Sequence, residues 1–127
     1  MEPAPTVSSW SGIFNAFTAS HPGPTWRVAD TGNFGNTNTN GAGTVVLVSI
    51  APRTPVNILE SVMLHEYAHF LQNRIYGPGL GYAVRAVGSP NLDHAADCWA
   101  QEHGATWLNY GCTRTPQVQG ILARMGG

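Results

Sequence analysis

Apolar residues recur at helical spacing in Trp10, Ile13, Phe14 and Phe17, behind Ser8 and Ser9, and the pattern breaks at His21-Pro22-Gly23-Pro24. This predicts a short amphipathic helix with a serine cap, closed by a turn in which His21 is a surface residue. Trp26 to Asp30 alternates and predicts a strand. Residues 31–43 are Gly, Asn and Thr with almost no apolar content, which reads as a hairpin connection or, alternatively, as a loop over an active site. The β-branched run Thr44 to Ile50 is the strongest strand signal in the chain. Thr54-Pro55 then opens a helix, with Thr54 as N-cap and Pro55 in the first helical position. Gly77-Pro78-Gly79 closes it after Ile75 or Tyr76. Ile58, Leu59, Val62, Met63, Tyr67, Phe70 and Leu71 cover most of its circumference, so this helix is expected to be buried on most sides.

Further on, Gly79 to Pro90 reads as irregular, with Tyr82, Val84 and Val87 available to pack. Asn91-Leu92-Asp93 predicts a second long helix, from Asp93 to about Leu108. Thr115-Pro116 predicts a last one to about Met125, with Val118, Ile121, Leu122 and Met125 on one face. The order of elements argues for an α+β fold in one domain, residues 1–127, with a short antiparallel or mixed sheet packed on the central helix and further helices after it.

Composition narrows the functional classes. Charged residues make up only 10% of the 127, against a typical figure of about 25%, and lysine does not occur. Net charge is −1 with the arginines scattered, so neither a nucleic-acid surface nor a polybasic membrane patch is expected. No apolar run approaches the roughly 20 residues of a membrane span, and a monomer is expected. Met1-Glu2-Pro3-Ala4-Pro5 lacks the basic and apolar stretches of a signal peptide, which fits a cytosolic chain or a mature domain with an added start methionine. Cys98 and Cys112 favour the second. Their spacing suits neither a zinc pair nor a redox motif, and a disulfide between a helix end and the following loop fits better than two unpaired buried thiols. Closing a loop of that size is worth about 3 kcal/mol and implies a secreted or cell-envelope setting.

The buried central helix contains His65-Glu66-Tyr67-Ala68-His69. Residues four apart share a helix face, so both imidazoles can reach one metal ion. Glu66 is turned roughly 100° from His65, where its carboxylate can take a proton from a metal-bound water. A catalytic zinc, one per chain, needs a third protein ligand. Asp93, His94, Asp97, Glu102 and His103 are the downstream candidates. Asp93 and Asp97 stand i, i+4 on one helix face, suited to one ligand and one carboxylate that accepts a hydrogen bond from a ligand imidazole. Asp93 is favoured as ligand and His94 is the alternative.

Two segments resemble those of gluzincin-type zinc metallopeptidases, near the minigluzincins and the bacterial neutral zinc metallopeptidases. Met63 to Gln72 is similar to their H-E-x-x-H-x-x-Q helix, and Asp93-His94-Ala95-Ala96-Asp97-Cys98-Trp99-Ala100 to their E-x-x-A-D-C-x-A segment. The resemblance implies a zincin-like fold, a bacterial source, peptide or protein substrates, Asp93 in the place of the family's ligand glutamate, and Asp97 as the carboxylate that orients a ligand histidine. Asp93 is one methylene shorter than glutamate. The resemblance also implies an exposed edge strand before the active helix, along which an extended peptide binds. Thr44 to Ile50 sits in that place, although a core strand is an equal alternative. Tyr82, Arg85 and His103 are candidates for stabilising the oxyanion. The expected function is a small zinc endopeptidase with Glu66 as general base, and the alternative is a catalytically weak zinc-binding interaction domain. Occupation of the cleft by either terminal segment would make the chain latent.

Overall fold

A computed structural model describes residues 9–40, 44–77 and 79–126. Helix α1 spans Trp10–Ser20, and Ser9 caps it by accepting a hydrogen bond from the Gly12 amide at 3.1 Å. Strands β1 (Thr25–Val28), β2 (Gly35–Thr39) and β3 (Val46–Ile50) follow, then helices α2 (Val56–Tyr76), α3 (Leu80–Val87), α4 (Ser89–Glu102) and α5 (Pro116–Arg124). Among the described residues the fold is therefore α+β, five helices and a small mixed sheet in one domain. No described helix is long and apolar enough to cross a membrane.

The strand order is β1-β3-β2, with β1 parallel and β2 antiparallel to β3. The apolar run ending at Ile50 is thus the central strand, not an edge: Val46, Val48, Ser49 and Ile50 are all buried. The free edge next to α2 belongs to β2, inside the Gly-Asn-Thr segment that the sequence reads as turns. Its backbone is ordered by pairing from Gly35↔Ile50 to Thr39↔Val46. Residues 41–43 of that segment lie outside the described residues.

α2 is the hub. It packs on β2 and β3, on α1, on α3 and most extensively on α4, while α5 packs on α4. α2 buries the polar Ser61, His65, Glu66, Gln72 and Asn73 along with Leu59, Met63, Leu64 and Ala68. The core around it draws on Val48, Ile50, Trp99, Val118 and Ile121.

Several expected boundaries differ. Pro55, not Thr54, holds the N-cap position of α2, and the Thr54 hydroxyl instead donates to the Ala51 carbonyl at 2.7 Å. Residues 80–87 form a helix, bracketed by Gly79 and Gly88, both with positive φ. Tyr82 and Val84 are exposed on it. α4 begins at Ser89 and ends at Glu102, six residues before the expected Leu108. Gly104, at φ 104°, donates to the Gln101 carbonyl (3.2 Å) and Ala105 to that of Ala100 (2.9 Å), a Schellman pattern that ends the helix. His21 is not a plain surface residue: its ring stacks on Phe17 with centroids 3.8 Å apart, and Nδ1 donates to the Phe17 carbonyl. α5 starts as expected, with Thr115 accepting from the Val118 amide.

Candidate metal centre

α2 and α4 face one another with small residues at the contact. Ala95, Ala96 and Ala100 of α4 are fully buried, which lets α4 lie close enough to α2 for a short aspartate to span the gap. His65 and His69, one turn apart on α2, meet Asp93 of α4. Nε2 of His69 lies 3.0 Å from Nε2 of His65 and 3.1 Å from Asp93 Oδ1, and His65 Nε2 lies 3.5 Å from the same oxygen. These three are the one group of potential ligand residues found to converge among the described residues.

The tautomers follow from the other ring nitrogens. His65 Nδ1 donates to Asp97 Oδ1 at 2.7 Å. His69 Nδ1 donates to Gln72 Oε1 at 2.8 Å, and Gln72 is oriented by its own amide donating to the Leu92 carbonyl at 3.0 Å. With the protons on Nδ1, both Nε2 atoms present lone pairs, and the third member is an anionic oxygen. In that neutral form three acceptors meet at one point, which either a proton on a ring Nε2 or a bound cation can bridge. For a cation, four-coordinate bonds of about 2.1 Å place ligand atoms roughly 3.4 Å apart, close to the separations seen.

Asp97 is almost wholly buried, at 1% exposure, yet fully satisfied. Its Oδ1 faces His65, and its Oδ2 accepts from the backbone amides of Tyr110 (2.7 Å) and Gly111 (2.8 Å). Burial would raise its pKa, but His65 and the two amides outweigh it and hold the carboxyl below its usual range. Asp93 behaves likewise: burial opposes ionisation and the two imidazoles overcome it, so its pKa is lowered. Asp93 stands in the second turn of α4, so a favourable position at the helix N-terminus does not account for it.

Glu66 sits beside this group, 7% exposed. The Thr37 hydroxyl on β2 donates to Glu66 Oε1 at 2.6 Å. β2 runs so close to α2 here that a Cβ on Gly35 would come within 2.7 Å of Glu66 Cγ and 2.9 Å of Val62 Cγ1. A cleft of about 300 Å³ opens on this side, lined by His65, Glu66, Phe34, Val62, Trp107 and Tyr110 among others. Tyr110 stacks near the His65 ring, centroids 5.6 Å apart. Partial burial and then the charges of Asp93, Glu66 and Asp97 raise its phenol pKa, so the hydroxyl keeps its proton at neutral pH.

The remaining predicted site residues fall elsewhere. His94 turns away from the metal group and donates through Nδ1 to the Gly111 carbonyl at 2.8 Å. Tyr82 lies on the exposed face of α3 under the guanidinium of Arg85. His103 stacks on Trp99 and donates to its carbonyl, and Glu102 pairs with Arg114. None of these lines the cleft. Cys98 and Cys112 form the expected disulfide.

No protein-family model, curated protein or solved structure matches the chain. Its chemistry therefore rests on the residues themselves. Thr37, Gly35 and Tyr110 are the contributors that sequence reading passes over, and Gln72 enters it only as the last residue of a motif, with no partner assigned. Gln72 had a signal, standing three residues after His69 on the same face. Tyr110 had a weaker one in its place two residues before a cysteine, and Thr37 had none.

Proposed function

We propose that this chain is a small zinc-dependent endopeptidase of the gluzincin type. The observation that carries the reading is the convergence of His65 Nε2, His69 Nε2 and Asp93 Oδ1, with each imidazole held from behind by a hydrogen bond on Nδ1, to Asp97 and to Gln72. Two imidazoles and one carboxylate are the ligand set of a hydrolytic zinc with an open fourth position. When bound, zinc supplies Lewis acidity, which lowers the pKa of a coordinated water and polarises a carbonyl.

The protein's own groups do the rest. Glu66 takes the proton of the attacking water and hands it to the leaving amine. Thr37 holds Oε1 of that carboxylate, which keeps it from rotating away from the cleft. Tyr110, protonated at neutral pH and on the cleft wall, donates to the developing oxyanion, the role expected of Tyr82 or His103. An extended peptide adds to the free edge of β2, the strand that borders Glu66. The disulfide fits an extracytoplasmic site of action.

The test is Glu66→Gln, which keeps the shape of the side chain and removes the base. Casein hydrolysis is expected to fall by at least about 100-fold while the protein still carries one zinc per chain. Undiminished hydrolysis in that variant contradicts the mechanism. Zinc bound by wild type without turnover on a broad peptide library leaves a metal-binding domain that is not a peptidase.

A further inference from the structure

The disulfide joins two residues that each directly follow a member of one hydrogen-bond set. Cys98 follows Asp97 on α4, and Cys112 follows Tyr110-Gly111, whose amides hold Asp97 Oδ2. His94, one turn earlier on α4, donates to the carbonyl of the same Gly111. Residues 109–112 have no regular secondary structure, so no backbone ladder keeps them in place. Gly111 also has a φ of 88°, a conformation that side-chain-bearing residues rarely adopt. The loop is pinned to α4 by one covalent link, two amide–carboxylate bonds and one imidazole–carbonyl bond. The two amide bonds end on Asp97, the partner of a metal-facing histidine, and the other two links hold the residues that supply those amides against the same helix.

We infer that the Cys98–Cys112 disulfide is a positioning element of the metal centre. It keeps the Tyr110 and Gly111 amides on Asp97 Oδ2, which leaves Oδ1 aimed at His65 Nδ1 and turns His65 Nε2 toward His69 and Asp93. The same link fixes Tyr110 on the cleft wall. This rests on the metal reading above and extends it: the staple acts on the site through Asp97, over and above any general stabilisation. Without it the two amides are free to leave, Asp97 loses two of its three donors, and His65 gains freedom to rotate. Carboxylates behind a ligand imidazole tune both its orientation and its basicity, and disturbing them costs metal affinity.

Zinc affinity of the full chain, measured by competition with a chromophoric chelator well below the melting temperature, provides the test. The Cys98→Ala/Cys112→Ala double variant is expected to bind zinc at least about 10-fold more weakly than wild type. Gly111→Ala, which keeps the disulfide and strains only the loop, is expected to move affinity in the same direction. In the metal-free protein, the His65 Nδ1 proton is expected to exchange with water faster in both variants, a signal that a purely global staple leaves unchanged. Should the double variant fail to fold, Gly111→Ala and the proton exchange decide alone. Wild-type affinity and wild-type exchange in a folded variant overturn the inference and leave the metal reading standing. No zinc binding by wild type overturns both.

Discussion

The ring of His65 lies between Asp97 on one side and Asp93 on the other, where a second ring proton can bridge to both carboxylates. Burial alone would lower the His65 pKa, but the hydrogen bonds to Asp93 and Asp97, with Glu66 nearby, overcome it and push it up to about 10. A folded pKa above the ordinary 6.5 stabilises the folded chain fully below that pH, and the contribution is lost as pH rises toward 10. For Asp93 and Asp97 the sign is opposite: their lowered pKa values stabilise above the ordinary 3.8 and are lost in acid. Thermal melts in a chelator are therefore expected to peak between about pH 4 and 6.5 and decline toward pH 9 or 10. Metal displaces the proton, so the gain in melting temperature on adding zinc is expected to grow over the same range. A chelated protein whose stability climbs from pH 6.5 to 9 contradicts this placement of His65. These residues were largely legible, because the i, i+4 histidine pair and the i, i+4 aspartate pair each report a helix face. Asp93 over His94 as the residue facing the two histidines follows from how α4 packs on α2: the next residue, about 100° further round the helix, points toward Gly111.

β2 is the element whose role was hidden. Gly-Asn-Thr-Asn-Thr sets its two threonines among residues depleted in strands and has no apolar side chain, and its order comes from pairing with β3 and from resting on α2. Gly35 makes that approach possible. Gly35→Ala is expected to push β2 off the helix, since the new methyl meets Glu66 Cγ at 2.7 Å. A cost of about 1–3 kcal/mol in stability is expected from such overpacking. Peptidase activity is expected to fall with it, because Thr37 moves away from Glu66, whereas zinc affinity stays near wild type because the hydrogen bonds of His65, His69 and Asp93 go to one another, to Asp97 and to Gln72, not to β2. Loss of zinc instead would mean that β2 supports the metal group itself. Other elements show where periodicity suffices. α2 and α5 have a Thr-Pro start and a sustained apolar pattern, and both appear with boundaries near those expected. α3 leaves little trace in the sequence because a helix of eight residues between positive-φ glycines shows little more than two turns of pattern. The apolar pattern of α4 continues past Gly104, and the positive φ of that glycine ends the helix before the pattern does. The position of β3 within the sheet was not legible at all, since an apolar strand looks the same at the centre and at a buried edge.

At the scale of the molecule, the metal group ties together parts of the chain that are distant in sequence. His65 and His69 come from α2, Asp93 and Asp97 from α4, and the 109–112 loop closes over Asp97 with the disulfide behind it. Only the folded chain assembles this set, so on the proposed reading zinc binding is coupled to folding, and a ligand present at 100 times its dissociation constant adds about 2.7 kcal/mol to stability. The α2–α4 packing needed for this is extensive and apolar, so the geometry of the centre is built into the core. The central claim is that His65, His69 and Asp93 hold one zinc ion. A crystal structure of the zinc-loaded protein, with anomalous differences collected on either side of the zinc absorption edge, tests it most directly. The account predicts a single strong anomalous peak about 2.0–2.2 Å from His65 Nε2, His69 Nε2 and Asp93 Oδ1, with Asp97 still on His65 Nδ1. No peak at that point, or a peak held by His94 or His103 in place of Asp93, contradicts it.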